Sequence, residues 1–486
     1  MSENRRWTRR QFLGAAGAAA GTAVAAAGLA DCSWAHAAQR LARAPGYRTR
    51  PDLKPPSLAV TRMTAASTAG LLFLTPNGGG VQSGPMIADS DGSLVWFRPL
   101  EGTSTANLRV QQYLGAPVLT WWEGQVTNGH GTGEHVLLDR SYREVARVRA
   151  GGAYQADLHE FVITPAGTAL LAAYHEVPAD LTPVGGSNTG SALDSVIQEV
   201  DVATGQVVLE WHSLDHVALD ESYTALPAAG QPFDYFHINS IDVDADGHLL
   251  VSARNTWAVY KIDRSSGEVM WRLGGKRSDF AMAKTTRFAW QHDARRQPDG
   301  TLTLFDDGAV PQVEARSRGL VLKLDETRMT STVARQYTHV RLLSGSQGNM
   351  QILANDHALV GWGSQPYVSE FTRGGELIFD ARFVPAVQSY RAYRSPWSGQ
   401  PADRPTVSVD GGASTSALVH ASWNGATDVA VWEVLSGSPP RMRPVRNAPR
   451  RGFETAIPVP GGEPYIAVRA NDSSGRTLGE SLPVAL

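Results

Sequence analysis

The sequence predicts an all-β protein: a six-bladed β-propeller followed by a small immunoglobulin-like β-sandwich. Three observations lead there. A unit of roughly 40 to 50 residues recurs six times between residues 57 and 385, the period expected of propeller blades. Each copy consists of short alternating apolar runs separated by Gly or Asp-Gly turns, the strongest local signal for hairpins. No helical periodicity intervenes, so four strands per copy must satisfy one another edge to edge around a closed ring.

Taken in chain order, residues 1–37 form an export signal. A basic start runs into Arg9-Arg10-Gln11-Phe12-Leu13 and a small-residue apolar stretch from Gly14 to Ala30, followed by Ala35-His36-Ala37 as a cleavage site. The pattern is similar to a twin-arginine signal, which implies a protein that folds before it meets the export machinery and works outside the cytoplasm. The apolar stretch is too short and too weakly hydrophobic for a membrane span. Cys32 follows an aspartate, a poor lipidation context, so the only cysteine leaves with the signal. A linker spans 38–56.

The propeller follows over 57–395. Its clearest copy is Ile241 to Ser252 around the Asp246-Gly247 turn, then Ala258 to Asp263, then Gly267 to Arg272. Copies around Gly300, Asn349 and Gly167 repeat this plan, with fainter ones at 70–97 and 110–148. After Ser395-Pro396-Trp397 the pattern becomes that of one small sandwich, 404–486, which resembles a fibronectin type III domain with Trp423 and Tyr465 as core residues.

Composition excludes other classes. The 486 residues carry 44 Lys plus Arg against 47 Asp plus Glu, with 42% hydrophobic and 19% charged residues, so the chain is neither disordered nor a basic nucleic-acid binder. Gly (48) and Pro (28) fit a turn-rich β fold, and one cysteine rules out a disulfide framework or a CxxC metal motif. Removal of the signal leaves a mildly acidic mature protein.

The candidate chemistry lies at one phase of the repeats. His159 precedes its turn glycine Gly167 by eight residues, as His292 precedes Gly300 and Asn239 precedes Gly247. His237 stands two residues before Asn239, and the Asn349-Met350-Gln351 segment is a fourth member without histidine. Equal phase in a propeller means equal radial position, so these side chains converge at the channel mouth, as a small-ligand site requires. Arg254 on the next strand, among histidines and few carboxylates, points to an anion. A three-histidine zinc site of His159, His237 and His292 is the sharpest alternative, the cation of a propeller hydrolase of lactonase or sulfatase type, although Arg254 opposes a divalent ion. A non-catalytic module that captures an anion or glycan is another. Glu160 and Glu370 read as acceptors between blades, and Arg254 has Asp242 or Asp244 as structural partners.

The segments Phe236-His237-Ile238-Asn239-Ser240, Ser252-Ala253-Arg254, Trp271 to Gly275, Trp290-Gln291-His292-Asp293-Ala294-Arg295 and Leu304-Phe305-Asp306-Asp307-Gly308, in that order, resemble the bacterial arylsulfotransferase family. The resemblance implies an exported six-bladed propeller that moves a sulfuryl group from an aryl sulfate to a phenol without a nucleotide cofactor. It implies His292 as the transiently sulfated nucleophile, His237, Arg254 and His159 as groups that hold sulfuryl oxygens or shuttle protons, and Asn239 as support for His237. Asn239, Asn349, Gln351 and Asp293 are the candidate substrate contacts. The second nitrogen of His292 needs a partner so that the attacking nitrogen is bare, with Asp293, Gln351 or Asp306 in reach by sequence. Partners are then a small aryl sulfate and a phenol, with no nucleic acid.

Overall fold

Alternating apolar strands that are buried on both faces must be stacked sheet against sheet, and that is how the chain is built. The computed structural model describes residues 46–340, 342–411, 416–461 and 463–486. The expected signal at 1–37, Cys32 and the start of the 38–56 linker lie outside the described residues. The chain is all-β, in antiparallel sheets.

In the four-stranded sheet of Ile238–Val243, Leu249–Ala253, Ala258–Ile262 and Val269–Gly274, Ile241 faces Val251, Val251 faces Tyr260 and Tyr260 faces Arg272. Its first hairpin closes through Gly247, whose φ of +87° is the left-handed conformation that glycine adopts without strain. The next sheet, His292–Arg296 to Thr330–Tyr337, repeats the plan. So do Ser104–Tyr113 to Glu144–Val148 and Ala156–Ile163 to Val207–His212, which Gly133 and Ala156 join into one eight-stranded sheet. The sheet from Asn349–Ile352 to Leu377–Arg382 gains Ala59–Met63 as a fifth, outer strand. Core residues fall between sheets: Leu250 and Val259 of one pack with Leu304 and Leu320 of the next.

The copy at 70–97 supplies only three strands. Its fourth is Val387–Ser395, which pairs with Leu71–Gly78, so the two ends of this region close the ring in one sheet. Six first strands then contact in succession: Ser104–Tyr113, Ala156–Ile163, Ile238–Val243, His292–Arg296, Asn349–Ile352, Val387–Ser395 and back to the first. Side-chain amides sew neighbours together, with Asn107 Nδ2 donating to Leu158 O at 2.8 Å and Asn239 Nδ2 to Gln291 O at 2.5 Å.

Beyond residue 404, a three-stranded sheet (Thr406–Asp410, Ala417–Ser422, Glu454–Val459) and a five-stranded one enclose Val419, Trp432, Val434, Ile457, Ile466 and Val468. Trp423 is buried as expected, but Tyr465 is 37% exposed. Strand alternation puts Ile466 and Val468 inward instead. Asn424 exchanges two hydrogen bonds with the Phe97 backbone at 3.0 Å each, and Glu454 accepts the Thr49 amide at 2.7 Å. The described residues from 46 onward thus form one unit, with part of the expected linker engaged. Among the described residues no helix is long and apolar enough to cross a membrane.

Candidate functional site

Inner strands of this ring are irregular near their starts. Pairing slips between Ala156 and Phe161, between Ile238 and Ser240, and between His292 and Arg295. Such bulges re-aim side chains. His237, Trp290 and Asp293 also hold positive φ of +63°, +59° and +57°, a conformation uncommon for non-glycine residues and concentrated at functional sites.

The result is a cavity of about 750 Å³, lined by His159, His237, Arg254, Trp290, His292 and Tyr390 among others. His159 and His237 stand 4.8 Å apart between ring centroids. Each of three imidazoles has its Nδ1 against a carboxylate: His159 against Asp157, His237 against Asp234 at 2.6 Å, and His292 against Asp307 at 2.6 Å. A carboxylate acceptor fixes the proton on Nδ1 and leaves Nε2 with its lone pair. For His292 the assignment is doubly determined. Its Nδ1 also lies 3.1 Å from the Trp290 carbonyl, another acceptor, and its Nε2 accepts the Gln347 amide at 3.2 Å.

Burial, and next the Arg254 guanidinium, drives the His292 pKa well below the ordinary imidazole value. Burial pushes the Asp307 carboxyl well above the usual carboxylate range, and Arg254 only partly opposes the rise. Burial also lowers His237 to about 4. Two of the three rings are therefore held neutral.

Arg254 stacks on Trp290, 4.7 Å from the ring, and donates to Asn255 Oδ1 at 3.1 Å and the Gly345 carbonyl at 3.2 Å. Among the described residues it has no ion-pair partner. The expected structural partners are taken: Asp242 accepts the Arg296 amide, and Asp244 binds Lys261 and Arg296. A desolvated, unpaired guanidinium beside neutral imidazoles is a site for an anion.

Four expected substrate contacts do not line the cavity. Asn349 and Gln351 each exchange two hydrogen bonds with the closing strand, at Ala392 and Arg394, because side-chain amides match a backbone N–H and C=O pair. Asn239 shares the phase of His159 and His292 but turns to the Gln291 carbonyl, while His237 reaches the cavity. Asp293 points away from the mouth, into a buried cluster with Arg295 at 2.8 Å and Arg391 at 3.5 Å. Glu160 joins that cluster through Arg109, Arg295 and Arg391, as its reading between blades anticipated.

The partner of His292 is Asp307, not Asp293, Gln351 or Asp306; Asp306 holds Arg318 instead. Sequence reasoning also missed Asp157, Asp234, His130 and Tyr390. The signal for the first two was their place two and three residues before a histidine. His130 lies 3.3 Å from Asp234, which outweighs the cost of burial and raises the His130 pKa. Tyr390 presents a buried hydroxyl without a hydrogen-bond partner among the described residues. Among the described residues, ligand atoms converge as a metal would need only at His130, Asp234 and His237, where Asp234 is already engaged by both rings. The expected three-histidine arrangement is not that group.

Ring and site together define an all-β protein with an imidazole and guanidinium anion site at one end of its inner strands. Residues 109–384 match the arylsulfotransferase (ASST) family, more than half of the chain, and the protein belongs to that family. No curated protein matches the sequence. Similar solved structures include a protein of unknown function from Bacteroides caccae, at 14% identity and a TM-score of 0.43, covering 67% of this chain and 98% of that one. Another is a catalytically inactive virginiamycin B lyase from Staphylococcus aureus with quinupristin, at 9% identity and a TM-score of 0.34, covering 76% of this chain and 96% of that one.

Proposed function

We propose that the protein is a sulfotransferase that needs no nucleotide cofactor and carries a sulfuryl group from an aryl sulfate to a phenol through a sulfohistidine at His292. One observation carries the reading. The lone pair of His292 Nε2 and the unpaired Arg254 guanidinium face the same cavity. The ring of six inner strands supports a six-bladed propeller over 57–395, and the facing sheets after 404 support a fibronectin type III-like sandwich. We further propose export by way of the twin-arginine segment.

Sulfuryl transfer spreads charge over three equatorial oxygens, so clamping and positioning dominate, as in phosphoryl transfer. Arg254 takes those oxygens, relinquishing Gly345. The Gln347 amide withdraws, Nε2 attacks sulfur, and the S–O bond to the aryl group breaks. Asp307 neutralises the positive charge that develops on the ring. The departing phenolate takes a proton from His159, which lines the cavity and keeps its Nδ1 against Asp157. In the second half, His159 Nε2 accepts the acceptor's proton, the phenolate attacks sulfur, and the S–N bond returns its electron pair to His292.

The test is a chromogenic aryl sulfate with and without a phenol, and mass analysis of the peptide containing His292. Acceptor-dependent release with ping-pong kinetics and one added sulfuryl mass are expected. Absence of both overturns the reading.

A further inference from the structure

The chemistry of the mouth does not explain a second pocket beside it. Tyr223 lines both cavities, and the 310–314 loop supplies Val310 and Pro311 to the first and Val313 and Glu314 to the second. From Arg254 a continuous ladder of rings leads outward. Arg254 lies on Trp290, Trp290 meets Trp257 edge-on at 5.0 Å, Trp257 stacks flat on Tyr223 at 3.7 Å, and Lys276 sits 5.0 Å from the Tyr223 ring centre. Gly274 and Gly275 form part of the wall at φ of +86° and +76°. A Cβ on either would meet the Trp257 or Thr256 carbonyl within 2.8 Å, so only glycine lets this segment lie against the turn that carries the indole.

The pocket is cationic. Lys276, Lys284 and Arg287 line it, against one carboxylate, Glu314. Two of the five lysines in the chain are thus gathered here. Lys276 is held by the carbonyls of Asp220 and Ser222, at 3.0 and 2.5 Å, and among the described residues none of the three cations has a carboxylate partner. Among the described residues the buried Trp257 Nε1 has no acceptor. Cations left without counter-charges beside a stacked aromatic pair and an orphan N–H donor match the distal end of an anionic aromatic molecule.

We propose that this pocket is a second subsite, selecting aromatic substrates that carry an additional anionic group, a carboxylate or a sulfate, beyond the reacting oxygen. The proposal rests on the sulfotransferase reading for its site of reaction but not for its binding. The far ring slides along Trp257 and Tyr223 while the anion reaches Lys276, Lys284 and Arg287.

Two measurements on the full chain test it. Equilibrium binding of a hydroxybiphenyl carboxylate and of neutral hydroxybiphenyl, followed by indole fluorescence in the wild type and in His292→Ala, should show about tenfold tighter binding of the anion. The triple variant Lys276→Gln, Lys284→Gln, Arg287→Gln should bring that ratio to about one. A sulfated biphenol in place of the carboxylate identifies which anion fits better. No preference in the wild type, or a preference that survives the triple variant, overturns the subsite. Ratios of kcat/KM for the same phenols as acceptors keep the two proposals apart. Preferential binding without sulfuryl transfer to either phenol leaves the subsite and removes the sulfotransferase reading; transfer without preference does the reverse.

Discussion

Two charged clusters share the inner strands of this protein and even neighbouring residues, yet they are finished differently. His159 and Glu160 are adjacent, as are His292 and Asp293. The second member of each pair enters a buried network in which Glu160 is ringed by Arg109, Arg295 and Arg391, and Asp293 meets Arg295 and Arg391. Burial opposes ionisation of Glu160, and the guanidiniums overcome it, holding its carboxyl well below the usual range. The first member of each pair faces a cavity, beside a guanidinium that has no ion partner among the described residues. A network that satisfies its own charges fixes a structure, whereas one left short of an anion is prepared for a ligand.

The comparison is sharpened most by His292→Ala. Turnover with an aryl sulfate and phenol should fall by about 10⁴-fold or more, with a cooperative unfolding transition retained. Asp307→Asn should follow at about 10³-fold, since an amide cannot hold the proton on Nδ1 as a carboxylate does, and rate rather than unfolding should carry the effect. In the other cluster the balance reverses. Glu160→Ala leaves three guanidiniums without their common carboxylate and should cost about 3–5 kcal/mol of stability, read from the denaturant midpoint. Comparable losses of stability from His292→Ala and Glu160→Ala would erase the distinction. Arg254→Lys, which keeps the charge but loses the planar fork, should lower kcat/KM for the donor by about 10²-fold.

The smallest effect is with pH. Because His292 lies well below the ordinary imidazole value, donor kcat/KM should show no loss through protonation of the nucleophile between pH 7 and about 5. Stability has a definite sign as well. Burial lowers His237 to about 4 and His135 to about 3, so below about 6.5 the unfolded chain binds protons that the folded one does not. These two groups make stability fall as pH drops from about 6.5 toward 4. A pH dependence of the denaturant midpoint between 7 and 5 that is unchanged in His237→Gln would contradict this.

Repetition, turn chemistry and strand alternation are local properties, so the sequence by itself determined the all-β class, the recurring hairpins around Gly167, Gly247 and Gly300, and the candidacy of His159, His237, Arg254 and His292. Phase along the chain also grouped Asn239, Asn349 and Gln351 with them, because radial position is all that phase encodes. Only the tertiary structure decided direction. A bulge or a positive φ turns His237 and His292 to the cavity, while Asn349 and Gln351 are captured by the closing strand 43 residues downstream. The same holds for partners. Asp307 lies 15 residues from His292 and Arg391 lies 231 from Glu160, separations that no local pattern spans and that ring closure reduces to hydrogen-bond distance.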